Sequence, residues 1–281
     1  MVTREDYPGD NVAACFQVLI ELMTLLGDYR DSAVVVGGWV PFLYVSGLPD
    51  AHVGTTDIDL ALDPEKISED AYATLLRLLT DAGYEQDTSA PASYRRRIKL
   101  ENGIEVTVRV DLLSGQYGGT TKGHRHQRIQ DLLARKIRGC DLVFLDNLST
   151  NIEGVMPDGS RNSVRIKIAG ILPFLVMKGM ALYSRSKEKD AYDICYVIKH
   201  FPGGLDAIAG AAEELRNHPL VLEGLGKIRA KFATIDSIGP VWNVKFLQIE
   251  DEEEAFERRD AFERVNRLLD LLEIEPFEET D

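Results

Sequence analysis

The chain has 281 residues, a size for one large domain or two small ones. Its 44% apolar content is enough to bury a core without disulfide or metal staples. Set against 32 basic side chains, 46 acidic ones leave a formal charge of −14, which argues against coating nucleic acid by bulk charge but leaves room for a local basic site.

The apolar side chains of 11–26 recur at helical spacing, with Asp10 or Asn11 placed to cap and Gly27 placed to stop. A β-branched run, Ser32 to Val36, ends in Gly37-Gly38 and predicts a short strand. A helix is expected from about Trp39 to Val45, with Pro41 tolerated in its first turn. Asp57 to Leu62 alternates polar and apolar residues, the pattern of a half-buried strand. Ser68 to Thr80 reads as a helix. Two strand-like runs, Tyr94 to Leu100 and Ile104 to Leu113, flank Asn102-Gly103, a hairpin signal.

A glycine-rich loop is expected over Ser114 to Gly123, a helix over Ile129 to Ile137, and a strand over Leu142 to Leu145. Asn151 to Val155 and Ser163 to Ile168 should pair across Pro157-Asp158-Gly159. Helical patterns then dominate: 172–184, 187–199, 205–216, 220–232 and 252–272. The acidic residues Glu250 to Glu254 and the tail from Glu273 read as solvated surface. The expected fold is therefore α+β, with a mixed-sheet domain over 1–168 and a helical domain over 169–281 closing a cleft.

Cys15, Cys140 and Cys195 form no CxxC pair and suit buried thiols in a reducing cytosol. The polar, acidic N-terminal residues do not resemble a signal peptide. Ile168 to Met177, the longest apolar run, is too short to cross a membrane. A cytoplasmic protein with no membrane partner is expected.

The chemistry concentrates in Gly37-Gly38, Asp57-x-Asp59 and Asp111. Residues i and i+2 of a strand share a face, so Asp57 and Asp59 project together. Two close carboxylates repel unless a cation offsets them, and a hard divalent ion does so with oxygen ligands. Glycines after a buried strand let backbone N–H groups approach an anion. Asp111, between Val110 and Leu112, supplies a third carboxylate on a strand expected in the same sheet. These are the parts of two-metal phosphoryl or nucleotidyl transfer.

This set resembles the core of the DNA polymerase β-type nucleotidyltransferase superfamily. A second block, Lys178 followed by Arg185-Ser-Lys-Glu-Lys189-Asp190-Ala-Tyr-Asp193-Ile, is similar to the AbiEii/AbiGii-type nucleotidyltransferase toxins of bacterial toxin–antitoxin systems. The two blocks span about residues 32 to 200. The resemblance implies transfer of NMP from an NTP to an acceptor hydroxyl, a tRNA 3′ end before a protein side chain, with Mg²⁺ or else Mn²⁺ as cofactor and a cognate antitoxin as partner. It implies that Gly37 and Gly38 cradle phosphates, that Asp57, Asp59 and Asp111 ligate metal, and that Asp111 helps activate the acceptor. Lys178 would contact the triphosphate, with Asp193 opposite and Arg185 and Lys189 nearby.

One departure stands out. Trp39 occupies the position after the glycines where many members carry Ser or Thr, and Pro41 to Val45 supplies no cation. That leaves room for a catalytically degenerate module that binds a nucleotide or partner, and a metal-dependent phosphoesterase is a third reading. Arg185, Lys187, Lys189 and Asp190 also fit an exposed, salt-bridged turn. Arg95 to Arg97, Lys122 to Arg128, and Arg135, Lys136 and Arg138 could form a local track for RNA phosphates. His124 and His126 lack a third soft ligand and read as surface. Gly118 to Gly123 lacks the ending of a P-loop, and no GxGxxG, GxSxG or HExxH occurs.

Overall fold

The computed structural model describes all residues except 46–49, 64–65, 67–76, 116–125, 130–131 and 279–281. The chain divides into two compact units. A sheet unit comprises Tyr7–Val40 and Gly54–Gly170, and a helical unit comprises Met1–Asp6, Pro41–Val53 and Ile171–Asp281. The fold class is α+β with a mixed sheet. The sheet-to-helix change falls at 170/171, while residues 1–6 and 41–53 group with the helical unit although the sheet unit follows each of them in sequence.

The sheet unit opens with helix α1 (Gly9–Leu25), followed by β1 (Ala33–Val36). After α2 (Trp39–Tyr44) come β2 (Asp57–Leu62), β3 (Tyr84–Gln86), β4 (Ser93–Lys99) and β5 (Glu105–Ser114). The remaining strands are β6 (His126–Ile129), β7 (Leu132–Lys136), β8 (Asn147–Val155) and β9 (Arg161–Ala169). Along the sheet the order is β3-β4-β5-β2-β1-β9-β8, with β7 joining the end of β5 and β6 pairing β7. β2 runs antiparallel to β1 and parallel to β5. Asn102-Gly103 turns β4 into antiparallel β5, with Gly103 at φ 85° and its N–H donating to the carbonyl of Leu100.

Alternation sorts the two faces of β5. Val106, Val108, Val110 and Leu112 are buried, while Thr107 and Arg109 on the other face are exposed. α1 packs on the apolar side, burying Ala14, Cys15, Val18, Leu19 and Leu22 at helical spacing. Each large side chain so buried contributes about 1.5–3 kcal/mol.

In the helical unit, α3 (Ile171–Ser184), α4 (Glu188–His200), α5 (Gly204–Ala211), α6 (Pro219–Lys231), α7 (Ile238–Leu247) and α8 (Asp251–Leu271) pack around their own core. α3 crosses α6 backbone to backbone: a Cβ on Gly179 would lie 2.1 Å from the Gly224 carbonyl oxygen.

Several expectations need correction. Residues 132–136 form strand β7 rather than a helix, because pairing with β5 and β6 overrides their leucine-rich pattern. Cys140–Phe144 is a 3₁₀ turn rather than a strand. The helix expected over 205–216 ends at Ala211. Strand β3 and helix α7 were not expected. Residues 77–81 end in helix, but most of the helix expected over 68–80 and most of the glycine-rich loop lie outside the described residues. All three cysteines are buried and free, and among the described residues no helix is long and apolar enough to cross a membrane.

Candidate functional site

Parallel pairing of β2 with β5 aligns Asp57 with Arg109 and Asp59 with Asp111. Paired residues share a face, so three carboxylates and one guanidinium project from the side of the sheet opposite α1. The Asp-x-Asp spacing and the third carboxylate thus meet in adjacent register. β4 extends the row, with Ser93 beside Asp111 and Arg95 beside Arg109.

Each carboxylate has a local partner. Thr55 Oγ1 donates to Asp57 Oδ1 at 2.5 Å, and Ser93 Oγ donates to Asp111 Oδ1 at 2.5 Å. Arg109 donates to Asp111 Oδ2 at 2.6 Å. Burial pulls the Arg109 guanidinium down, but the charges of Asp111, Asp57 and Asp59 outweigh it and hold its pKa above the ordinary value. This face is therefore net negative even with Arg109 counted.

Asp59 also explains the first glycine. Gly37 turns the chain at φ 71°, and a Cβ there would sit 2.3 Å from Asp59 Oδ2. The carboxylate lies against the glycine backbone where any side chain would displace it. Gly38 is buried beside it. Trp39 is fully buried and packs against Phe16 at 5.4 Å between ring centroids, so the position after the glycines belongs to the core.

The donor set on this face is all oxygen, which suits a hard divalent cation such as Mg²⁺ or Mn²⁺. Asp57, Asp59 and Asp111 are the residues that could hold one. Among the described residues, however, no three His, Cys, Asp or Glu side chains already converge as a metal-holding group. Arg109 supplies the positive charge beside Asp111 instead. The donors fit the ion in type and face, while Arg109 stays paired with Asp111 at 2.6 Å.

The basic run on β4 is committed elsewhere. Arg95 pairs with Asp87 at 2.6 Å, Arg96 forks onto Glu21 of α1 at 2.9 Å, and Arg97 pairs with Glu85 at 2.9 Å. These pairs offset the charges of the three β4 arginines. Lys122, His124 and Arg125 lie outside the described residues, and nothing is described of the side chains of His126 and Arg128. Arg135 is exposed on β7, followed by half-buried Lys136.

The second block forms a buried ionic cluster within the helical unit. Lys178 Nζ of α3 lies 2.5 Å from Asp193 Oδ2 and 2.9 Å from Asp190 Oδ1, both on α4. Lys189, one turn before Asp193, reaches its Oδ1 at 2.8 Å. Arg185 forks onto Asp190 with contacts of 2.8 and 2.9 Å. Lys189 and Asp190 are buried at 3% and 1% exposure, which corrects the reading of an exposed turn. Burial and the two lysines act on Asp193 in opposite directions, and the lysines win, holding its carboxyl well below the usual range. Asp190 is likewise held low by Lys178 and Arg185 against its burial.

His52 completes this cluster and escaped the sequence reading. Its Nε2 lies 2.9 Å from Asp193 Oδ1, and its ring stacks on Tyr192 at 5.1 Å. Burial drives its pKa down to about 4 despite the Asp193 contact, so it is neutral at pH 7. A lone histidine in the irregular segment before Val53 carries no periodic signal. The only hint was that a buried Asp193 needs several donors.

No protein-family model matches this chain, and neither does any curated protein. Among solved structures, an antigenic nucleotidyltransferase-like protein from Paracoccidioides brasiliensis is similar over 76% of this chain and 87% of its own, at 14% identity and a TM-score of 0.43. A STING-associated CdnE c-di-GMP synthase from Capnocytophaga granulosa is similar over 95% of this chain and 83% of its own, at 10% identity and a TM-score of 0.25. Likenesses at these scores assign neither activity nor substrate to this chain.

Proposed function

We propose that this chain is a nucleotidyltransferase that moves NMP from an NTP to an acceptor hydroxyl with release of pyrophosphate. The observation that carries the reading is the alignment of Asp59 with Asp111, with Asp57 on the same face and the Gly37 backbone against Asp59. In this reaction the acceptor oxygen bonds to the α-phosphorus as the bridge to the β-phosphate breaks. The hydroxyl proton passes to Asp111, and Ser93 and Thr55 orient the carboxylates by hydrogen bonds to Asp111 and Asp57. A bound Mg²⁺ or Mn²⁺ would offset the three carboxylates and stabilise charge on the phosphoryl oxygens. In the helical unit, Lys178, Lys189, His52 and Asp193 act as positioning residues that lock α3 to α4, while half-exposed Arg185 keeps a guanidinium at the cluster's edge.

The resemblance to the AbiEii/AbiGii-type toxins favours a tRNA 3′ end as acceptor, a protein hydroxyl as the lesser option, and a toxin role held in check by an antitoxin. Incubation with each α-labelled NTP, Mg²⁺ and either total tRNA or total protein tests both parts. Label on RNA that disappears in Asp57→Ala supports the reading, and label on protein moves the acceptor. Label that persists in Asp57→Ala overturns the carboxylate assignment.

A second reading is a degenerate module that binds without turnover. The Arg109–Asp111 pair and the buried Trp39 favour it. It predicts NTP binding that survives Asp111→Ala, with no label on any acceptor.

A further inference from the structure

The outward face of β8 and β9 carries cations that no carboxylate contacts. On β9, alternation buries Val164, Ile166 and Ile168 on the side of α1 and exposes Arg161, Ser163 and Arg165 on the other, with Lys167 half-buried at the end of the row. Ser149 and Asn151 of β8 pair with Lys167 and Arg165, so a hydroxyl and an amide stand beside two of the cations. Register ties the row to the carboxylates. Ile168 aligns with Val35 of parallel β1, and Val36 aligns with Asp59. Lys167 and Arg165 therefore share the face of Asp57 and Asp59, and β9 lies two strands, about 10 Å, from β2.

Arg30 joins the row from the turn after α1. With Arg165 and Lys167 it lines a hollow of about 400 Å³ between that turn and the two strands. Arg30 Nε donates to the Gly27 carbonyl at 2.8 Å, and Lys167 Nζ donates to the Asp31 carbonyl at 2.7 Å. These neutral partners hold the two side chains without cancelling their charge. Asp28 and Asp31 line the hollow too, yet among the described residues none of Arg30, Arg161, Arg165 and Lys167 is ion-paired. The β4 arginines differ, since each has a carboxylate partner. Four cations against Asp28, Asp31 and Glu153 leave this face positive in a chain of charge −14. Like charges around one hollow repel, and an anion that bridges them removes the repulsion. The row from Arg161 to Lys167 extends for about 20 Å, which suits a polyanion better than a single ion. It presents no aromatic side chain for a base to stack on, so the contact is with a phosphate backbone rather than with bases.

We propose that the outward face of β8 and β9, with Arg30, binds the phosphate backbone of an RNA acceptor without reading its sequence. The choice of RNA as the polyanion rests on the nucleotidyl-transfer reading, but the binding itself needs neither NTP nor metal.

Fluorescence anisotropy of a short labelled single-stranded RNA of mixed sequence, titrated with the full chain in the absence of NTP and Mg²⁺, tests it. Four phosphate contacts predict that log affinity falls against log salt with a slope of about −3. The triple variant Arg161→Gln, Arg165→Gln, Lys167→Gln should bring the slope to about −1 and weaken binding at least about tenfold at low salt. The charge-matched variant Lys245→Gln, Arg259→Gln, Arg267→Gln, at exposed positions of the helical unit, should bind as the native chain does. Asp57→Ala should bind RNA at least as tightly as the native chain, so failure of this inference and failure of nucleotidyl transfer are seen separately. Poly-glutamate, standing in for an acidic protein, should displace the RNA less well than unlabelled RNA does. The proposal is overturned by no RNA binding at low salt, by a native slope in the β9 triple variant, by an equal loss in the charge-matched variant, or by poly-glutamate competing as well as RNA.

Discussion

Asp193→Asn removes a carboxylate that Lys178, Lys189 and His52 share at 2.5, 2.8 and 2.9 Å. In the native cluster the cations Lys178, Lys189 and Arg185 face the two carboxylates of Asp190 and Asp193, and His52 is neutral. The variant leaves Asp190 as the anion for three cations, two of them lysines exposed by no more than 8%. Breaking a buried pair by removing one partner costs about 3–5 kcal/mol. That is a large part of the 5–15 kcal/mol by which domains of this size are typically stable. Urea unfolding followed by circular dichroism should show the midpoint falling with an unchanged slope. Adding Lys189→Met to Asp193→Asn removes the stranded charge and should recover at least about 1 kcal/mol. A loss below about 1 kcal/mol in the single variant, the size expected at an exposed site, would refute the reasoning.

His52 gives the protein a defined acid sensitivity. Its pKa falls from 6.5 to about 4 on folding, so the unfolded chain binds more protons between those values and stability declines as pH drops through that window. The loss amounts to about 3 kcal/mol, and His52→Gln should flatten the slope measured by urea unfolding across it. Gly179→Ala drives a methyl into the Gly224 carbonyl and should cost at least about 1–3 kcal/mol, read as a lower thermal midpoint; an unchanged midpoint would show that α3 and α6 do not touch there. Arg109→Gln removes the cation beside Asp111 and should tighten Mn²⁺ binding about fivefold by calorimetry, as expected for about 1 kcal/mol of Coulomb repulsion at a half-exposed site. Equal or weaker Mn²⁺ binding would mean that Arg109 does not compete with the ion.

Local chemistry made much of the sheet unit readable. Asn102-Gly103 marked its hairpin because few residues adopt the backbone that such a turn demands. The alternation of Asp57 to Leu62 showed which side chains share a face, and the register with β5 then placed Asp111 beside Asp59. What failed was set by distant partners. Residues 132–136 become a strand through pairing, and three-residue β3 exists only because β4 lies beside it. Helix α7 opens with Gly239-Pro240 in its first turn, where Pro is tolerated, and the dipeptide carries no helix-start pattern of its own. At the site, the aspartates were visible from spacing, but the Arg109 pair and His52 depend on strand register and on a loop fold, which no short-range pattern reports.

Nucleotidyl transfer at the Asp57–Asp59 face is the proposal on which the functional reading stands. Parallel reactions with α-labelled and γ-labelled NTP test it most directly, run with the native chain, Asp57→Ala and Asp59→Ala. The expected result is α label on the acceptor, γ label in released pyrophosphate, and loss of both in either variant. γ label on the acceptor, free NMP without labelled acceptor, or transfer that survives in the variants would contradict it.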